Sequence, residues 1–313
     1  MAHRVLFTAS TRSHIMNFHL PYIRAFNELG WQVDVACGVS GEAIPGAARV
    51  LCLPFEKKMS SPKNFAAAGT LRRMMRREGY DLVIAHTALA GFFTRLAAMG
   101  LRRPVMCHMA HGYLFDENTP LPRRLILMAA EKLVAPVTDG LITMTAWDLA
   151  FAKKHRLGKK ILAIPGVGVD FTRLDGCDAA QGLALRRTLG VGEDDFAIVY
   201  AAEFSRRKNQ AVLIKALAML PARAKLLLPG DGAELDACRA LAEELGLGVR
   251  VIFPGYVRDM GPYYRAADAA ASSSRMEGLP FNVMEAMHAS LPVVASRVNG
   301  HTDLIGDGQT GLL

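Results

Sequence analysis

A chain of 313 residues, 51% hydrophobic and 21% charged, has a globular composition and enough length for two domains. It holds no run approaching ~18 apolar residues, and its first ten residues lack a signal peptide's apolar core, so neither a membrane-crossing helix nor a secretory leader is expected. Charge is lopsided: residues 1–165 carry 22 Lys+Arg against 11 Asp+Glu, and residues 166–313 carry 15 against 18, so the basic first half calls for an anionic partner, nucleic acid or an anionic membrane surface.

In chain order, Arg4–Ala9 reads as a short apolar strand, followed by a small polar turn, a helix over 15–30 and a strand over 31–37. That order predicts a doubly wound α/β domain. Neither GxGxxG nor GxxxxGK[ST] occurs, which argues against an ordinary dinucleotide site and a P-loop. Arg12, His14 and His19 follow the first strand, at the mouth where such sheets bind ligands; a lone helix-surface histidine is the plainer reading. Residues 56–80 are basic, with Leu71, Met74 and Met75 interleaved among arginines, and are read as an interfacial amphipathic helix or a solvated face. Residues 121–134 would add to that surface. Nucleic acid fits less well, because no aromatic platform accompanies the charges.

Strands over 80–85 and 105–109 end near His86 and His111, and two such histidines can converge on one cleft. No metal is expected, because no His/Cys/Asp/Glu spacing completes a site. The five cysteines, Cys37, Cys52, Cys107, Cys177 and Cys238, form no CxxC pair and are expected as buried, reduced thiols. A strand over 140–145, a helix to Lys154 and a glycine-bearing turn over 165–170 lead into a second alternation of strands and helices from Ala197 to Ser296. The domains predicted are 1–165 and 166–313. The apolar end at 309–313 looks like the start of a further element, so the chain is expected to lack its natural end.

Two loops of the second half carry charge: 203–210, with Arg206, Arg207 and Lys208, and the tight turn 229–232. Basic side chains before a helix make a phosphate clamp or, more plainly, a solvated loop. Later comes Glu-Gly-Leu-Pro-Phe-Asn-Val-Met-Glu over 277–285, where a helix is predicted to open at Pro280. Phe281, Met284 and His288 are spaced to pack inward. Glu277 precedes the helix and Glu285 lies roughly 7–8 Å along its axis. An anion held at the helix start would have a carboxylate on either side, which suits a nucleotide-sugar. The plain alternative is a capped helix with two surface acids.

Together these segments resemble the retaining glycosyltransferases of family 4, of the GT-B fold class. The resemblance rests on the two-glutamate motif, on Pro-Gly-Val-Gly-Val-Asp at 165–170, Arg-Arg-Lys-Asn-Gln at 206–210, Pro-Gly-Asp-Gly at 229–232 and Phe-Pro-Gly-Tyr-Val at 253–257. Phe-His-Leu-Pro-Tyr at 18–22 and Ala-His-Gly-Tyr at 110–113 resemble a bacterial subgroup that builds lipid-linked oligosaccharides for capsules, exopolysaccharides or protein glycans.

The resemblance implies two Rossmann-like parallel-sheet domains facing a cleft, acceptor on the first and nucleotide-sugar on the second. It implies that Glu277 bonds donor sugar hydroxyls and Glu285 the ribose. Lys208, Arg207 and the amides of Gly278 and Leu279 would neutralise the diphosphate, and the backbone at Tyr256 and Val257 would meet the base. His111 would lie near the sugar and acceptor hydroxyl, with Ser13, His14 and His86 on the acceptor side. No obligatory metal or cofactor is implied. The partners implied are a UDP-sugar and a polyprenyl-linked acceptor. Many relatives have Gly-Arg where this chain has Ala202-Glu203, so one phosphate-binding arginine is absent there. The activity expected is sugar transfer by a cytoplasmic enzyme lying against the inner face of the cell membrane. A nucleotide-sugar 2-epimerase and a non-catalytic nucleotide-sugar or membrane-surface module stay open as alternatives.

Overall fold

The computed structural model describes residues 2–38, 43–117 and 119–313, which form two compact units, Met1–Gly168 and Val169–Leu313. The first unit runs β1 (Arg4–Ala9), α1 (Arg12–Phe18), α2 (Leu20–Glu28), β2 (Gln32–Gly38), β3 (Arg49–Leu53), α3 (Pro62–Glu78), β4 (Leu82–His86), α4 (Ala88–Ala98), β5 (Val105–Met109), α5 (Leu121–Val134), β6 (Gly140–Thr143), α6 (Ala146–His155) and β7 (Lys160–Ala163). Its sheet is parallel in the order β3-β2-β1-β4-β5-β6-β7. Successive residues of a strand face opposite ways. In β1, Leu6 therefore joins a core with Leu71, Val83 and Phe93, while Val5 and Phe7 join another with Ile15, Ile23 and Val35. Helices cover both faces, as an all-parallel sheet requires.

The second unit runs α7 (Thr172–Asp175), α8 (Ala179–Thr188), β8 (Phe196–Val199), α9 (Gln210–Leu217), β9 (Ala224–Leu227), α10 (Leu235–Glu244), β10 (Val251–Ile252), α11 (Gly261–Ala266), β11 (Ala269–Ser272), α12 (Phe281–His288), β12 (Val293–Ala295) and α13 (His301–Leu304). Its parallel order is β10-β9-β8-β11-β12. Leu227 faces one core and Leu226 and Leu228 the other. Both units are Rossmann-like, the GT-B pair of domains.

Several expectations need correction. The helix predicted over 15–30 is two helices broken at His19, because Pro21 opens the second and cannot continue the first. The inward face of α12 is Val283 and Ala286; His288 is exposed and bonds Asp175 at 2.6 Å. On α3, Leu71, Met74 and Met75 are buried, so the apolar residues among its arginines are core and not a membrane-facing stripe. Arg72 caps the carbonyls of Ala97 and Met99 at 2.9 and 2.6 Å instead of facing an anionic surface. Cys37, Cys177 and Cys238 are buried thiols, but Cys52 is exposed. No described helix is long and apolar enough to cross a membrane.

Candidate active site

Ligands of doubly wound sheets bind beyond the strands' carboxyl ends, where strand order reverses. In the second unit the reversal lies between β8 and β11. The loop after β8 carries Arg207 and Lys208, and the loop after β11 carries Ser274 and Glu277. The two loops are stitched together: Arg275 N donates to Arg207 O at 2.8 Å, and Ser273 Oγ donates to the carbonyls of Lys208 and Asn209 at 3.1 and 2.9 Å. The buried Tyr200 hydroxyl lies 3.0 Å from Lys208 O and 2.9 Å from Ser274 Oγ.

Glu277 sits at the centre, with its side chain 6% exposed. One oxygen accepts from Lys208 Nζ and, at 2.5 Å, from Ser274 Oγ; the other accepts from Arg207 Nη1 at 3.0 Å. Burial works against its charge, yet Lys208 and Arg207 prevail and hold its carboxyl below the ordinary range. Burial also lowers Lys208, past the opposing pull of Glu277. Three donors converge on Glu277 and favour its ionised form.

Helix α12 begins four residues later, its N-cap Pro280 making no side-chain cap bond, and its positive dipole end lies close to Glu277 in the chain. Further along, Glu285 accepts from Tyr264 Oη at 2.8 Å, and burial raises its carboxyl. Gly300, at φ +82°, lets the chain pass against this segment: a Cβ there would fall 1.8 Å from Gly278 O. Gly230 plays the same part beside β8, since its Cβ would fall 2.0 Å from Ala202 O. Tyr256 is exposed and Val257 half-buried in the loop after β10.

In the first unit the reversal lies between β1 and β4. Four histidines gather there: His14 on α1, His19 at the break before α2, His86 ending β4 and His111 in the turn after β5. His111 Nε2 lies 3.3 Å from His14 Nε2 and 3.4 Å from His86 Nδ1. The rings of His19 and His86 stack at 3.7 Å between centroids. Burial pushes His14 down to about 4; burial and the charge of His14 push His111 to about 3. Burial, then His14 and His111, takes His19 to about 2. His86, wholly buried, is held well below the ordinary value for the same reasons. These are therefore neutral imidazoles near pH 7. Thr87, next to them, holds φ +61°, a costly conformation for a β-branched residue, and its hydroxyl accepts from Ser10 N at 3.2 Å.

Comparison with known proteins gives this geometry a family. Residues 20–165 match the glycosyl transferase 4-like domain and residues 183–313 match glycosyl transferases group 1. The EpsD protein of Bacillus subtilis, named as a glycosyltransferase, is 34% identical over 319 aligned positions, covering all of this chain and 84% of EpsD. The chain belongs to the glycosyltransferases. Also similar to this glycosyltransferase is an Escherichia coli enzyme named UDP-Gal:alpha-D-GlcNAc-diphosphoundecaprenol alpha-1,3-galactosyltransferase, 23% identical, covering 90% of this chain and 76% of that one. Among solved structures, Anabaena HepE in complex with UDP and glucose superposes with a TM-score of 0.77 at 22% identity, over 99% of this chain and 85% of HepE, a likeness of fold.

Of the residues singled out in the sequence of this glycosyltransferase, Arg207, Lys208 and Glu277 meet directly, and Gly278 and Leu279 lie between Glu277 and α12. Arg206 stands apart, exposed and 3.6 Å from Glu234. His14, His86 and His111 meet in the first unit; Ser13 is exposed and bonds only its neighbour Thr11 among the contacts of its hydroxyl seen here. Ser274, Tyr264 and Gly300 were not expected as partners, whereas His19 was placed with His14 at the mouth of the first strand and joins His86 and His111 there. The serine run beside Glu277 is the one signal that was available for Ser274; Tyr264 and Gly300 are joined to the site only by the fold.

Proposed function

We propose that this glycosyltransferase moves a sugar, an N-acetylhexosamine or hexose, from UDP to a hydroxyl of a polyprenyl-linked glycan acceptor, retaining anomeric configuration. The observation that carries the donor half is Glu277, buried against Lys208 and Arg207 just before the start of α12. A departing nucleoside diphosphate gains negative charge, and cations with fixed amides stabilise it where it develops. In this reading the diphosphate takes Lys208, Arg207 and the amides of Gly278 and Leu279, while Glu277 turns to the sugar hydroxyls. Glu285 holds the ribose, and the backbone at Tyr256 and Val257 meets the base. The UDP and glucose bound to HepE, and the UDP-galactose and diphosphoundecaprenol in the name of the E. coli relative, support the same donor and acceptor classes.

For the acceptor the reading uses the first unit, with His111 beside the acceptor hydroxyl and Ser13, His14 and His86 around it. The departing phosphate helps deprotonate that hydroxyl on the same face of the sugar, and no covalent glycosyl-enzyme is needed. No obligatory metal enters the transfer step. Transfer then serves surface polysaccharide assembly at the inner face of the membrane. Helix α5 is the surface that suits anionic lipid: Leu121 and Ile126 are 63% and 70% exposed, beside Arg123 and Arg124.

The test is transfer from UDP-sugars to a polyprenyl-linked acceptor. Lys208→Ala and Glu277→Ala should each lower kcat by about 10²–10³, the usual loss when an electrostatic partner of the transition state is removed. Wild-type turnover in both variants refutes the assignments. Turnover of the UDP-sugar without acceptor would move the reading to an epimerase, and UDP binding without turnover to a binding module.

A further inference from the structure

The histidine group of the first unit does more than the transfer reading asks of it. Four imidazole nitrogens, one each from His14, His19, His86 and His111, lie within 4.8 Å of one another. They come from α1, the break before α2, the end of β4 and the turn after β5, and no carboxylate or thiol is among them.

Hydrogen bonding alone leaves this group poorly satisfied. An imidazole nitrogen offers one in-plane position, either a proton or a lone pair. His111 Nε2 faces His14 Nε2 at 3.3 Å and His86 Nδ1 at 3.4 Å, so one position must serve two partners. Both ring nitrogens of His19 and Nε2 of His86 have no hydrogen-bond partner among the described residues, although these rings are 0% and 1% exposed. A buried polar atom left in that state has given up its hydration with nothing in exchange. A single cation would take one lone pair from each ring, Nδ1 of His86 and one of the two orphaned nitrogens of His19 among them.

The spacing fits. Metal–nitrogen bonds of about 2.0–2.1 Å at tetrahedral angles hold ligand nitrogens about 3.3–3.4 Å apart. The two contacts at His111 already have that separation. His19, stacked on His86, needs the largest ring rotation to join them. Histidine ligates a metal as the neutral imidazole, through the lone pair of one ring nitrogen. An all-imidazole set suits zinc, cobalt, copper or nickel, whereas calcium and magnesium require oxygen.

We propose that His14, His86 and His111, with His19 as fourth ligand, form a transition-metal site at the carboxyl end of the first sheet. The site is independent of the transfer reading, because metal binding is read without substrate. It also constrains His111: with Nε2 on the metal, that nitrogen is closed to a proton, and the residue acts by fixing positive charge.

The probe is cobalt(II), titrated into untagged, chelator-treated protein and followed by its ligand-field absorption. The expected result is the intense visible band pattern of a tetrahedral nitrogen site, saturating at one cobalt per chain and erased by competing zinc. His14→Gln, on the half-buried helix α1, should weaken cobalt binding at least tenfold while the melting temperature of the metal-free protein stays put. His19→Phe removes the orphaned nitrogens and keeps the ring packing, so it gives a folded second variant with weakened binding. Absence of tetrahedral bands, or equal cobalt affinity in wild type and both variants, overturns the proposal.

Discussion

Glu277 gathers the second unit's chemistry into a few ångströms, and its titration reports on that arrangement. Its carboxyl is held below the ordinary 4.5 because Lys208 and Arg207 outweigh its burial. As pH falls, the unfolded chain therefore takes up this proton first, and stability drains away. The contribution is complete above 4.5 and disappears as pH falls through the folded value. Glu277→Gln cannot titrate, so melting temperature should decline less steeply below pH 4.5 in the variant than in wild type. Parallel declines would mean that the carboxylate gains nothing from its two cations. At this scale the segment that the proposal assigns to the donor could be picked out because Glu277, Gly278, Leu279 and Glu285 sit within one short stretch of chain. The histidine group was legible in part: His86 and His111 were expected to converge from two strand ends and His14 and His19 to lie at the first strand's mouth, but His14 and His111 are 97 positions apart and only the fold joins the two pairs.

Elements were legible where burial wrote itself into the sequence. Parallel strands covered on both faces read as short apolar runs, and β1, β5 and β11 follow such runs closely. Strand β3 escaped notice because it is a sheet edge whose Arg49 is an electrostatic partner: it pairs with Asp34 at 2.9 Å, alongside Arg4 at 3.0 Å and Tyr80 Oη at 2.5 Å. Basic helices were harder, since periodicity marks an apolar face but not what covers it. On α3 that face is core, and on α5 several apolar side chains remain in solvent. Helix α5 is nonetheless bolted down: buried Arg95 of α4 makes a two-pronged pair with Glu131 at 2.9 and 3.0 Å. Its outer face is thus a rigid platform. Vesicle binding tests the membrane role assigned to it. Arg123→Ala with Arg124→Ala should weaken binding to anionic vesicles at low salt by about 2 kcal/mol, roughly thirtyfold, at about 1 kcal/mol per arginine. Equal binding to neutral and anionic vesicles at low salt would remove the membrane surface from the account.

At the scale of the whole molecule, two sheets of one design divide the labour. Each reverses strand order once, and each gathers its unusual side chains at that reversal: neutral histidines in the first unit, a carboxylate clasped by two cations in the second. The excess of positive charge in residues 1–165 belongs to the unit to which the acceptor is assigned, while residues 166–313 carry 15 Lys+Arg against 18 Asp+Glu and yet concentrate two cations on Glu277, where the proposal puts the diphosphate. Net charge alone does not reveal that concentration, and so composition pointed to a membrane or nucleic acid more readily than to a nucleotide. The measurement that bears most directly on the nucleotide-sugar site is thermal unfolding against a panel of UDP-sugars. A donor present at about a hundred times its dissociation constant stabilises the native state by about 2.7 kcal/mol. The account predicts that at least one UDP-sugar raises the melting temperature of wild type, and that Lys208→Ala and Glu285→Ala abolish the rise. A panel that leaves wild type unmoved, or a rise that survives both substitutions, would contradict it.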